Sequence, residues 1–194
     1  MNHHPNAHSK FKSLIALVLA LTIATTGCSA QWINIALQDL PVLTQMALNI
    51  ATLAGTFSRQ QNTADLAVIQ NISAQASRDL NLMLTLYNEY KSNPNATTLS
   101  KIQAGINEIN QHLPALLESA HISNPLLTAR VTAAVNLILV TVNNFGALIP
   151  SSGQVRARKA IGTLPTTSDL KRQWNQKVCA PDESVSNASH CFMR

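Results

Sequence analysis

Leu99-Ser100-Lys101-Ile102-Gln103-Ala104-Gly105-Ile106-Asn107-Glu108-Ile109-Asn110-Gln111-His112-Leu113-Pro114-Ala115-Leu116 places Leu99, Ile102, Ile106, Ile109, Leu113 and Leu116 at intervals of 3, 4, 3, 4 and 3. A helix turns once in about 3.6 residues, so these six aliphatic side chains share one face. Asn107, Glu108, Asn110 and Gln111 fall on the other faces. An apolar stripe of this kind needs cover from another element, and the fold follows from what the flanking sequence offers as cover. The helix is expected to start near Ala96. Pro114 has no N–H to give the carbonyl of Asn110, which predicts a kink or a break there.

On the N-terminal side, Ile69, Ile72, Ala76, Leu80, Met83, Tyr87 and Tyr90 predict a helix over about 63–91, with Leu82, Leu84 and Leu86 widening its stripe. Ser92-Asn93-Pro94-Asn95 ends it, since proline cannot continue the ladder. Earlier still, Leu43, Met46, Ile50, Leu53 and Phe57 predict a helix over about 41–58, with Pro41 at its first turn and Asp39 as a cap. On the C-terminal side, Ser123-Asn124-Pro125 is a helix start signal. The stretch from Leu127 to Ile149 after it is apolar on most sides and is expected to be the most buried element. Its β-branched residues also suit strands, but its length favours helix. Asn136, Asn143 and Asn144 argue against a membrane span.

Four helices joined by short polar connections imply an all-α, up-down four-helix bundle. Pro150-Ser151-Ser152-Gly153 is expected to close it. Residues 154–177 then carry Arg156, Arg158, Lys159, Lys171, Arg172 and Lys177 against one acid, Asp169. Ser168 is expected to cap a short helix over 169–178, anchored by Trp174. The division read from the sequence is 1–27 leader, 28–40 lead, 41–150 bundle, and 151–194 basic segment with an irregular tail.

The leader sets the compartment. Lys10 and Lys12 precede an apolar run from Leu14 to Ala24 that only Thr22 interrupts. A basic start, a short apolar core and small residues after it make a secretory signal. The run is shorter than the roughly 20 apolar residues that span a bilayer. Thr25-Thr26-Gly27-Cys28 at its end resembles a bacterial lipobox, with Thr25 where leucine is usual. The resemblance implies cleavage before Cys28, a diacylglycerol thioether on its sulfur and acylation of the new amine by a chain such as palmitate. Acyl chains bind membrane at roughly 0.8 kcal/mol per buried methylene, and more than one chain makes a stable anchor. Ser29, in place of the aspartate that retains such proteins at the inner membrane, implies an outer-membrane lipoprotein facing the periplasm. The other reading is ordinary secretion, with Cys28-Ser29-Ala30 as a small-x-small site before Gln31.

Without 27 leader residues the chain has 167, enough for one domain with a substantial core. The formal charge of +5 falls to about +3 when Lys10 and Lys12 leave. That is too mild a charge to imply nucleic acid. Only 12 % of residues are charged and 4 % aromatic, which suits helices filled with aliphatic side chains. Besides Cys28, Cys179 and Cys191 form an even pair 12 apart, and an oxidising compartment makes a disulfide the natural reading over two free thiols. Such a bridge would hold the tail without cross-linking the bundle.

For chemistry the sequence offers little. The mature histidines are His112, His121 and His190. Glu118 and His121 have the Glu-x-x-His spacing of carboxylate-bridged metals, but in one copy; Glu108 and His112 lie four apart on a polar face. Met46 or Met83 with His112 is a further conceivable haem pair. Nucleophile-elbow, zinc-helix and phosphate-loop motifs are missing, so neither catalytic residues nor a metal or cofactor is expected. The basic C-terminal segment reads as solvated surface, or as contact with anionic lipid or an acidic partner. The expectation is a non-enzymatic helical envelope lipoprotein, held by lipid on Cys28 and serving another envelope protein as adaptor or structural partner. The rivals are a carrier of an apolar ligand and a pilot-like lipoprotein that escorts a secretion component.

Overall fold

The computed structural model describes residues 31–55, 63–149, 164–179, 191 and 193. The leader, Cys28 and the basic positions Arg156, Arg158 and Lys159 lie outside the described residues, as does the tail over 180–190. Among the described residues every regular element is helical. The chain is an all-α bundle of four long helices with a short C-terminal helix: α1 (31–55), α2 (Thr63–Ser92), α3 (Ala96–Ser119), α4 (Pro125–Leu148) and α5 (Thr167–Trp174), the last running into a π-helical turn (Asn175–Cys179).

The stripe that opened the argument is the core face of α3. Ile102, Ile106, Ile109 and Leu113 are buried, and Leu99 and Leu116 pack at its ends. Asn95 caps α3 by accepting the Thr98 amide at 2.8 Å. The helix runs unbroken through Pro114 to Ser119, so no break occurs there. Pro114 is exposed, so its ring meets solvent and not a neighbouring helix. Asn124 caps α4 in the same way, accepting from Leu126 and Leu127, with Pro125 in the first turn. On α2 the stripe from Ile69 to Tyr87 is buried as read, but of the three leucines expected to widen it only Leu86 is buried, while Leu82 is exposed.

The first helix departs from expectation. Residues 31–40, read as a lead before a helix starting at Pro41, are already helical. Trp32, Ile33, Ala36 and Leu40 extend the stripe of Leu43, Met46 and Ile50, and all are buried. Pro41 sits within the helix on its exposed side, where its ring meets no neighbour. Residues 56–62, which hold the expected end of this helix, lie outside the described residues.

Cross-helix contacts give the topology. Trp32 meets Tyr87 with ring centroids 5.6 Å apart, and the Ser73 hydroxyl donates to the Ala47 carbonyl at 2.7 Å, so α1 and α2 run antiparallel. Thr98 donates to Glu89 at 2.7 Å, and Met83 lies over Gly105, where a Cβ would come within 2.8 Å of its sulfur. These two contacts make α2 and α3 antiparallel and closely packed. Asn110 donates to Asn143 at 2.7 Å and Ile106 packs by Gly146, so α3 and α4 are antiparallel too. The order is up, down, up, down, as expected.

The C-terminal helix is part of this core and not an appendage. Leu170, Trp174, Val178, Cys179 and Cys191 are buried with the bundle residues. Across the boundary read at Pro150, α5 and its π turn pack on α4. The cap is also reassigned. Thr166, not Ser168, starts α5, by a capping box in which Thr166 and Asp169 serve each other's backbone amides.

Candidate functional site

The most heavily built polar region is the seam between α4 and the C-terminal helix. Arg130 falls on the apolar face of α4, between Leu127 and Ala134, and is 1 % exposed. Its Nη1 donates to the Val178 carbonyl at 2.8 Å and to the Cys179 carbonyl at 2.7 Å. These acceptors lie in the π-helical turn, where the regular ladder ends and carbonyls are left over. Cys179 is bridged to Cys191 with a Cα–Cα distance of 5.6 Å. Beyond the bridge, the Trp174 indole donates to the Cys191 carbonyl at 3.0 Å, and Asn175 makes two bonds to the Met193 backbone. Cation, bridge and indole thus form one clasp that folds the chain end onto α4.

Two buried carboxylates tie other elements together. Asp65, in the first turn of α2, accepts the Ser123 amide at 3.1 Å and its hydroxyl at 3.2 Å, pinning the α3–α4 connection. Asp39, the one charged residue of α1, accepts the Thr167 hydroxyl at 2.8 Å and pins α5. Burial pushes the Asp39 carboxyl above its ordinary value, and the bond from Thr167 offsets part of the rise. Beside this pair a cleft of about 460 Å³ opens between α1 and the start of α5.

The residues weighed for metal or haem do not assemble. Met46 and Met83 are core side chains, whereas His112 lies on the outer face beside Glu108, Nδ1 to Oε1 3.9 Å. Glu118 is exposed near the end of α3, and His121 lies beyond it with its Nδ1 near the Ser119 carbonyl. Among the described residues no group of three His, Cys, Asp or Glu side chains can hold a metal ion. Asp79 faces Glu108 and His112 across the α2–α3 groove. Burial raises its carboxyl first, the Gln75 bond lowers it, and the charge of Glu108 raises it again. A cleft of about 380 Å³ continues this groove past Gln75 and His112 towards Ser119. No protein-family model matches the chain, and no curated protein or solved structure matches it either.

Helix α4 is, among the described helices, long and apolar enough to cross a membrane. It is also the element against which α3, α5 and the π turn pack. Of the expected site residues, Cys179 and Cys191 are brought together. Arg130 and Asp65 were not singled out from the sequence, and Asp39, expected as a cap, instead lies inside α1 and accepts from Thr167. The signal for Arg130 is a lone cation on the apolar stripe of a helix with no other charge, and Asp39 stands in the same way on α1.

Proposed function

We propose that this chain is a helical envelope lipoprotein, anchored through acylated Cys28 and acting without catalysis as an adaptor or structural partner of another envelope protein. One observation carries the reading furthest: a chain whose apolar leader ends in Gly27-Cys28 also holds a buried disulfide at its other end. A disulfide persists where the surroundings oxidise thiols, as in the bacterial periplasm, so the bridge and the leader point to the same compartment. The adaptor role draws support from the use of the buried polar groups. Asp39 ties α1 to α5, Asp65 ties α2 to the α3–α4 connection and Arg130 ties α4 to the π turn, which serves a rigid body. The outer membrane, facing the periplasm, is the location that Ser29 favours.

Fractionation of cells expressing Cys28→Ala tests the anchor. The wild-type chain is expected in the membrane fraction, and the variant in a soluble or unprocessed form. A variant that fractionates with membranes as fully as the wild type overturns the lipid anchor.

A further inference from the structure

We propose that the end of the bundle formed by the N-terminus of α1, the α2–α3 turn and the C-terminus of α4 is the surface that rests on the membrane, with the long axis standing away from it. The inference rests on the acylation of Cys28 proposed above and adds to it which face of the fold meets lipid. The chain is helical from residue 31 onward, so only Ser29 and Ala30 separate Cys28 from the first described turn. Three residue steps reach at most roughly 10 Å even when fully extended. The tether is therefore shorter than the bundle, whose α3 alone rises roughly 36 Å over its 24 residues. A lipid on Cys28 brings the α1 end to the headgroup level and keeps it there.

The antiparallel order fixes what accompanies that end. Trp32 lies against Tyr87 and Tyr90 at the close of α2, with ring centroids 5.6 and 5.8 Å apart. Tyr87 in turn meets Phe145 of α4 at 6.4 Å. The turn Ser92-Asn93-Pro94-Asn95 follows, and Ser92, Asn93 and Pro94 are all exposed. This tip is polar and carries Lys91 in the last turn of α2, with Lys101 one turn into α3. Among the described residues the acid beside it is Glu89, engaged by the Thr98 hydroxyl. Polar groups and lysines are compatible with anionic headgroups. The α1 and α3 sides are less so: Glu108 and Glu118 are exposed along α3, and α1 exposes no charge and only scattered apolar side chains. Standing on the tip keeps Glu108 and Glu118 away from an anionic surface. It also leaves the α2–α3 groove at Gln75 and His112 in the half of the bundle that faces away from the membrane, where a soluble partner can reach it.

The test uses the full-length, acylated protein in vesicles of phosphatidylethanolamine and phosphatidylglycerol. Asn93→Cys places a label on the tip, where the native side chain is exposed, and Glu118→Cys places one on the opposite end of α3. Each receives the same fluorophore, and quenching by lipids carrying a headgroup nitroxide is measured. Quenching at least several-fold stronger at position 93 than at 118 is the expected result. Equal quenching, or stronger quenching at 118, overturns the standing arrangement while leaving the anchor intact. The mass of the N-terminal peptide, taken from the same sample, separates the two failures: a terminus without acyl chains overturns the anchor and the orientation with it.

Discussion

Arg130 shows how much of the fold can rest on one side chain. A buried guanidinium is costly to desolvate, and removing it leaves the buried Val178 and Cys179 carbonyls without their Nη1 donor. Arg130→Ala is expected to destabilise the domain by about 3 kcal/mol and to loosen the C-terminal clasp. Lys177→Ala, on the exposed side of the same turn, is expected to shift stability by less than about 0.5 kcal/mol. Urea melts of the two variants check this, and equal midpoints would remove Arg130 from its role. Asp39 gives the converse case. Burial raises its carboxyl above the ordinary 3.8, so the folded state binds a proton more readily than the unfolded one. Its contribution to stability is full below pH 3.8 and is lost as pH rises through the folded-state value. Asp39→Asn imitates the protonated form and retains an acceptor for Thr167. It is expected to match the wild type in acid and to exceed it in melting temperature at neutral pH. Part of the slope remains, because Asp79 is raised in the same direction. A variant less stable than the wild type at neutral pH contradicts this account.

At the scale of the elements, the sequence was most legible where local chemistry and packing agree. Asn95-Ala96 and Asn124-Pro125 mark the starts of α3 and α4 because a cap bonds amides two or three residues away, entirely within a local pattern. The start of α1 was hidden by Pro41, whose ring is as well accommodated on an exposed helix face as in a first turn. The standing of α5 was hidden for another reason. Its polar and basic surface reads as a solvated appendage, while the partners of its buried residues lie far off in sequence: Arg130 bonds carbonyls 48 and 49 positions away, and Asp39 is 128 from Thr167. Only Trp174 signalled burial. This changes the expected effect of removing the disulfide. The Cys179→Ser, Cys191→Ser double variant loses a link worth about 3 kcal/mol in chain entropy. Since Cys191 and Trp174 belong to the common core, a fall in melting temperature of roughly 6–12 °C is expected. The four long helices should persist, so helical circular dichroism at 25 °C should stay near the wild-type value. A drop of a degree or less would return the C-terminal segment to the periphery.

For the whole molecule, the fold and the address come from different parts of the chain. The bundle could be read because its stripes repeat over four helices that cover one another. The role is less legible: the adaptor role proposed above would use ordinary exposed residues, without the spacing rules that metals or nucleophiles impose. The proposal for compartment, mature terminus and membrane contact rests on the short run from Leu14 to Cys28. The most direct measurement is the mass of the N-terminal peptide of the protein extracted from membranes. The account predicts a peptide that begins at Cys28 and carries a diacylglyceryl group and an amide-linked acyl chain. An unmodified terminus at Gln31, with Cys28 removed, would contradict it.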